Sequence, residues 1–355
     1  MAKTIGFILA DTQLGGGERI LWMLMTELKN RGYNITIYSH NPDWLHSQND
    51  FKDIVLLSNS PAGIHSKYRY YCELKKSFKI RKPNCVICFP LGLAEIAVIA
   101  ARRNHIPIIC SERCDPNEVP EKGDIHRILR TITFLLSSRI VFQTEQVQSY
   151  FSKPIQKHST VIPNPIIDHD LPEIYKIRSK EIISTGRLSK EKNFEMLIRA
   201  FAQIKSKDYK LTIYGEGPLR SNLEDLVSSL NLSDRVSLPG KVERVIDCIS
   251  QGDIFVMPSN HEGMPNSLIE GMAMGLAPIS TDFASGGARA LIEDGVNGFL
   301  IPVGDCNALV ERLNYLIDNP KEKNRIMQAA VNIRKTNSKD IIIPLWIKYI
   351  ESLLS

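Results

Sequence analysis

His261-Glu262-Gly263-Met264-Pro265-Asn266-Ser267-Leu268-Ile269-Glu270-Gly271-Met272-Ala273-Met274-Gly275 sets the architecture of this chain. It lies between two apolar runs, 253–258 and 276–281, that read as buried strands. A Gly/Pro/Asn loop thus leads from one strand into a short helix and on to the next strand, as in a parallel sheet. Asn266 or Ser267 is placed to cap that helix, because either side-chain oxygen can accept from the free N–H groups of the first turn. A helix start also favours an anion. Glu262 in the loop and Glu270 one turn into the helix add two carboxylates at E-x7-E spacing. Amides suit phosphate and carboxylates suit hydroxyls, so the stretch as a whole suits a sugar nucleotide.

The same grammar extends through the second half. A strand at 181–185 ends at Gly186-Arg187-Leu188-Ser189-Lys190-Glu191-Lys192-Asn193, and a helix is expected over 195–204. Arg187 offers a planar fork for phosphate oxygens and Lys192 a mobile point charge, at a strand end where a diphosphate would bind. Lys190 competes for the second role, but the spacing favours Lys192. Leu211-Thr212-Ile213-Tyr214-Gly215-Glu216-Gly217-Pro218 is strand then turn, with Glu216 in a turn role, and Val236-Ser237-Leu238-Pro239-Gly240-Lys241 is a further strand end. Ser285-Gly286-Gly287-Ala288-Arg289 and a turn at 294–298 lead into a strand, and a last helix covers 341–354.

The first half also alternates. Strands are expected at 4–9, 34–39, 54–57, 85–89, 106–110 and 139–143, with helices such as 18–30 and 94–103 between them. That order predicts a parallel doubly wound sheet with its ligand at the strands' carboxyl ends. Gly15-Gly16-Gly17 follows the first strand and opens a helix, as a tight turn or a close approach to a phosphate. It is not G-x-G-x-x-G, which counts against a dinucleotide-dependent dehydrogenase. Ser111-Glu112-Arg113 ends another strand and puts an acid and a fixed cation at its rim. No histidine, including His126, His158 and His169, is assigned a catalytic role.

With 355 residues the chain is too long for one comfortable core, and 43% hydrophobic with 23% charged residues is globular. No apolar run approaches the roughly 18 residues of a membrane span, and the start reads as a first strand rather than a signal peptide. Residues 1–170 hold 21 Lys and Arg against 16 Asp and Glu, while 171–355 hold 23 of each, so the whole +5 surplus sits in the first half. Seven cysteines without an export signal fit a reducing compartment. Cys85 and Cys88 are three apart in a strand and point to opposite faces, so they read as buried thiols and not as zinc ligands. The stretch 65–82 carries seven basic residues against one acid, with aromatics interleaved. It is a solvated basic helix face, a surface for an anionic bilayer or lipid-linked acceptor, or an RNA grip.

The E-x7-E segment, the Gly-Arg-x4-Lys loop, the glycine loop, the Pro163-Asn164-Pro165 hinge and the 294–298 turn resemble the retaining glycosyltransferases of family 4. That family has two Rossmann-like α/β domains, the GT-B architecture. The Ser-Glu-Arg-x-Asp-Pro run, without the histidine many members have there, resembles a subset acting in bacterial surface-polysaccharide and lipid-linked oligosaccharide assembly. The resemblance implies an acceptor-binding domain at 1–165, a linker at 166–180, a nucleotide-sugar domain at 181–336 and a helix at 337–355 crossing back to the first domain. It implies that Arg187 and Lys192 hold the donor diphosphate, Glu262 the donor sugar and Glu270 the ribose. Gly15, Gly16, Gly17, Pro239, Gly240, Gly263, Met264, Pro265, Asn266, Ser267 and Leu268 complete the donor site. Ser111, Glu112 and Arg113 become contacts to acceptor or sugar.

The expected reaction moves a hexose or N-acetylhexosamine from a UDP-sugar to a lipid-linked saccharide. No metal cofactor is expected, because a basic pair and a helix start already face the leaving group and no Asp-x-Asp motif occurs. The expected location is the cytoplasm, at the inner face of the plasma membrane, with no nucleic-acid partner. The rival readings are a nucleotide-sugar epimerase or phosphorylase on the same fold, and a non-enzymatic basic protein binding membrane or nucleic acid.

Overall fold

The computed structural model describes residues 2–9, 16–39, 51–57, 64–89, 91–116, 123–167, 171–174 and 178–354. The chain forms two compact units, 1–167 with 339–355 and 168–338. Strands of the first are β1 Thr4–Ile8, β2 Asn34–Ser39, β3 Ile54–Leu56, β4 Cys85–Cys88, β5 Ile108–Ser111, β6 Arg139–Phe142 and β7 Ser159–Val161. Those of the second are β8 Glu181–Thr185, β9 Lys210–Tyr214, β10 Val236–Gly240, β11 Ile254–Met257, β12 Ala277–Thr281 and β13 Phe299–Ile301. Helices α1 Gly16–Asn30, α2 Ile64–Arg81, α3 Leu91–Arg103, α4 Gly123–Leu136, α5 Glu145–Tyr150 and α6 Lys153–Lys157 belong to the first unit. The second holds α7 Phe194–Gln203, α8 Arg220–Ser229, α9 Val245–Ile249, α10 Asn266–Ala273, α11 Cys306–Asp318, α12 Pro320–Ala330 and α13 Ile333–Thr336. The last helix, α14 Lys339–Leu354, returns to the first unit.

Both sheets are parallel and doubly wound, in the orders β3-β2-β1-β4-β5-β6-β7 and β10-β9-β8-β11-β12-β13. The order reverses between β1 and β4 in one and between β8 and β11 in the other. These are the crevices where such sheets bind ligands. The strands are continuous apolar runs because helices cover both faces. Cys85 to Cys88 are buried at every position, with Cys85 in the core under α1 and α14 and Cys88 in the core under α2, α3 and α4. The two thiols therefore face apart, and among the described residues no cluster of His, Cys, Asp and Glu could hold a metal ion. Trp346 of α14 is fully buried and packs on Phe89 with ring centroids 5.3 Å apart. A buried side chain of that kind contributes about 1.5–3 kcal/mol.

Besides small shifts in element bounds, such as the helix expected at 94–103 that starts at Leu91, three details differ from the sequence reading. β5 starts at Ile108 rather than 106, so Ser111 is its last residue. β7 was not expected, since a three-residue strand with two hydroxyl side chains gives no apolar run. Helix α10 is capped neither by Asn266 nor by Ser267. Pro265 is the N-cap, in an extended conformation and without a side-chain bond, and Asn266 is the first helical residue.

Candidate active site

The site begins with the loop after β8. Gly186 leaves the strand at φ 157, close to fully extended, and its N–H donates to Tyr214 O at 2.9 Å. Leu188 then bonds the next loop twice: its N–H donates to Glu216 O, and its O accepts from Leu219 N–H, both at 2.9 Å. Only glycine permits this approach. A Cβ on Gly217 would stand 2.4 Å from Leu188 O, and one on Gly215 1.8 Å from Gly186 O. The loop so held ends in a short 3-10 turn, Lys190–Lys192, and in Asn193, whose left-handed φ of 48 and side-chain bond to Met196 N–H start α7. Arg187 is exposed at the head of this loop, and Lys192 is half-buried near its end.

The loop after β11 meets it. Asn260 N–H donates to Glu191 O at 2.8 Å, and its side chain donates to Lys190 O at 3.1 Å and accepts from Asn193 Nδ2 at 3.0 Å. Lys192 Nζ donates to Glu262 Oε1, which also accepts from Ser259 Oγ at 2.9 Å. Seventy residues apart in sequence, the cation and the first carboxylate of the sequence reading are bonded to each other across the β8–β11 crevice. Glu270 is buried in α10.

Three devices fix α10. Its C-terminus closes in a Schellman turn, with Gly275 at φ 72 donating to Met272 O and Leu276 N–H donating to Gly271 O. Arg334 Nε donates to Ala273 O at 2.6 Å and Arg178 Nη2 to Met274 O at 2.8 Å, so two cations meet the negative end of the helix. Gly271 lies flat on β11, where a Cβ would come within 2.5 Å of the Phe255 ring. The N-terminal loop is held by Ser285, whose Oγ donates to Gly263 O at 3.1 Å and accepts from Gly287 N–H at 3.3 Å. Ser259, Ser285, Gly287, Arg178 and Arg334 had no assigned role in the sequence reading. The Ser285-Gly286-Gly287 run is visible there, but the carbonyl it grips is not.

The other expected donor residues fall in place around this centre or outside it. Met264, Pro265 and Leu268 are buried, and Gly263, Asn266 and Ser267 are half-buried at the start of α10. Pro239 is exposed and Gly240, at φ 91, ends β10, where Arg220 Nη1 donates to Leu238 O at 3.1 Å. Glu216 is paired with Arg220 at 2.6 Å, which gives it a clamping role beyond the turn. Gly16 and Gly17 open α1 in the first unit. Gly15 lies outside the described residues.

Ser111, Glu112 and Arg113 form an inward-turned cluster in the first unit. Ser111 Oγ donates to Val141 O at 3.1 Å. Glu112 is 2% exposed, accepts from the N–H groups of Arg113 and Cys114 at 3.2 Å, and faces buried Arg130 of α4 at 3.7 Å. Burial pushes its carboxyl up to about 7 against the pull of Arg130 and the two amides. Arg113 stacks on Phe89 at 4.7 Å and donates to Asn164 Oδ1 at 2.6 Å, tying the loop to the Pro-Asn-Pro segment. The charge of Glu18, in the first turn of α1, also reaches Arg113. Glu112 is thus bonded to its own loop.

Residues 14–169 match the family described as Glycosyltransferase Family 4, and residues 169–332 match Glycosyl transferases group 1. A Campylobacter jejuni protein is 28% identical over 98% of both chains. It is the alpha-1,4-N-acetyl-D-galactosaminyltransferase acting on GalNAc-alpha-(1->4)-GalNAc-alpha-(1->3)-diNAcBac-PP-undecaprenol. The amylovoran biosynthesis glycosyltransferase AmsD of Erwinia amylovora is 20% identical over 98% of this chain and 99% of its own. Among solved structures, Anabaena HepE in complex with UDP superposes with a TM-score of 0.85 at 17% identity, covering 99% of this chain and all of that one.

Proposed function

The chain belongs to the glycosyltransferases of the GT-B fold, and we propose that it is a retaining enzyme moving a hexose or N-acetylhexosamine from a UDP-sugar to a lipid-linked saccharide. The observation that carries this reading is the bond between Lys192 and Glu262 at the β8–β11 crevice, which joins the loop that Arg187 opens to the loop that leads into α10. Arg187 and Lys192 bind the diphosphate and stabilise the charge that grows on it as it leaves, helped by the backbone N–H groups near Met264 to Ser267, those of Met264, Asn266 and Ser267. Glu262 accepts from the sugar hydroxyls and Glu270 from the ribose, while Pro239 and Gly240 present backbone to the base. The acceptor hydroxyl bonds to the anomeric carbon on the face the diphosphate leaves, and its proton passes to the departing phosphate oxygen. Cationic side chains supply the charge at the leaving group, so the reaction needs no metal.

Acceptor binding falls to the first unit, through the loop of Ser111, Glu112 and Arg113. The relatives, one acting on an undecaprenol-linked glycan and one in amylovoran biosynthesis, support a role in bacterial surface glycan assembly. A donor panel on purified protein with chelator present tests the reading. It expects one UDP-sugar to bind and hydrolyse slowly. No binding of any sugar nucleotide would overturn it.

A further inference from the structure

We propose that Asn260 is a positioning residue of the transfer reaction, fixing where Lys192 stands relative to Glu262 by bonding the turn that carries Lys192 on both sides. The proposal rests on the roles of Lys192 at the diphosphate and Glu262 at the sugar, and Asn260 had no role in the sequence reading. Lys192 lies between residues that Asn260 holds. Asn260 N–H donates to Glu191 O at 2.8 Å, its Nδ2 donates to Lys190 O at 3.1 Å, and its Oδ1 accepts from Asn193 Nδ2 at 3.0 Å. One residue of the loop after β11 thus meets residues 190, 191 and 193 of the loop after β8. The side chain left between them reaches Glu262, two positions after Asn260. The stem of that side chain is seated as well. It lies over Gly186, where a Cβ would stand 3.2 Å from Lys192 Cε and 3.3 Å from Cδ.

Asn260 itself stands on a fixed base. The preceding residue, Ser259, is 1% exposed. Its O accepts from the Oγ1 of Thr281, the last residue of β12, at 2.5 Å, and its Oγ donates to Glu262 at 2.9 Å. The second sheet therefore sets Ser259 and Glu262 directly, and sets Lys192 through Asn260. Binding and turnover make different demands on that lysine. It carries a compact charge on a flexible stem, and a lysine free to move would still find a bound diphosphate. Turnover asks for more, because charge grows at one place on the leaving group and only contacts that strengthen there speed the reaction. With the side chains of Lys192 and Glu262 18% and 17% exposed, water does little to soften a misplaced charge. Asn260 is exposed, and water competes for its bonds, so they add little to stability. Three bonds from such a residue to a single turn serve placement rather than support of the fold.

Full-length wild type, Asn260→Ala and Asn193→Asp are compared in UDP binding by calorimetry and in thermal melts. Turnover is read as UDP release from UDP-N-acetylgalactosamine, UDP-galactose, UDP-N-acetylglucosamine and UDP-glucose. Asn260→Ala should lower kcat by about 10- to 100-fold, with UDP affinity and Tm close to wild type. Asn193→Asp keeps the side-chain oxygen that accepts from Met196 N–H at the start of α7 but loses the amide that donates to Asn260. It should also lower kcat, and adding it to Asn260→Ala should cost little more, because both remove the same bond. Wild-type kcat in Asn260→Ala overturns the proposal. So does a loss of UDP affinity or of Tm that matches the loss of kcat, which would make Asn260 a support of the fold. Losses that multiply in full in the double variant overturn it too. A wild type that binds no UDP strikes the function reading, and the proposal with it. UDP binding and turnover in wild type, unchanged in Asn260→Ala, strike the proposal alone.

Discussion

Gly287→Ala puts a methyl group where the E-x7-E loop already is. The added Cβ would lie 1.9 Å from Gly263 O, 2.9 Å from its carbonyl carbon and 3.1 Å from Met264 Cα. All three are backbone atoms, so no side chain can swing aside. Gly287 has no left-handed φ, and the perturbation is therefore a clash rather than backbone strain. The two loops must part by about 1 Å, and a displacement of that size at a positioning loop costs on the order of 10²-fold in turnover. Overpacking should also cost about 1–3 kcal/mol of stability, which leaves a domain of ordinary stability folded. The assay pairs a thermal melt with donor turnover. It should show kcat/KM down by about 100-fold with a modest fall in Tm. Gly92→Ala, whose Cβ meets nothing within 4 Å in α3, is the control and should not lower turnover. Wild-type turnover and melting in Gly287→Ala would refute the clamp of Ser285 and Gly287 on Gly263.

Glu262→Gln frees Lys192 from its carboxylate partner. UDP alone should then bind as tightly as to wild type or tighter, by up to about 1 kcal/mol, while sugar transfer falls steeply; calorimetry and a transfer assay read the two effects. Asp253→Ala breaks a buried cluster in which Lys323 Nζ donates to Asp253 Oδ2 at 2.5 Å and Tyr209 OH donates to it at 2.7 Å. Leaving the buried Lys323 without its counter-charge, with only Tyr209 OH to accept from it at 2.7 Å, should cost about 3–5 kcal/mol, measured by denaturant unfolding. The pH dependence of stability carries the signature of Glu112. With its carboxyl raised to about 7 by burial, the folded chain keeps a proton that the unfolded chain releases nearer 4.5. Stability should therefore fall as pH rises across that window, by about 3 kcal/mol at most, and level off above it. Glu112→Gln should flatten the slope in melts taken across the window.

The parallel strands were legible because burial on both faces leaves no alternation to misread, as in Cys85 to Cys88. Arg187, Lys192, Glu262 and Glu270 were legible as residue types at strand ends. Their arrangement was not, since the Lys192–Glu262 bond joins loops seventy residues apart. Close approach hides in the same way: Gly217 and Gly287 look like any turn glycine until the carbonyls of Leu188 and Gly263 are beside them. The cap of α10 went to Pro265 because its extended backbone already turns the chain into the helix.

Calorimetry of UDP with wild type, Arg187→Ala, Lys192→Ala and Glu270→Ala, all with chelator present, tests the central claim most directly. The account predicts that wild type binds and that each substitution weakens binding by about 10- to 100-fold, as expected for loss of a charged hydrogen bond worth about 1.5–3 kcal/mol. UDP affinity unchanged by all three substitutions would contradict it.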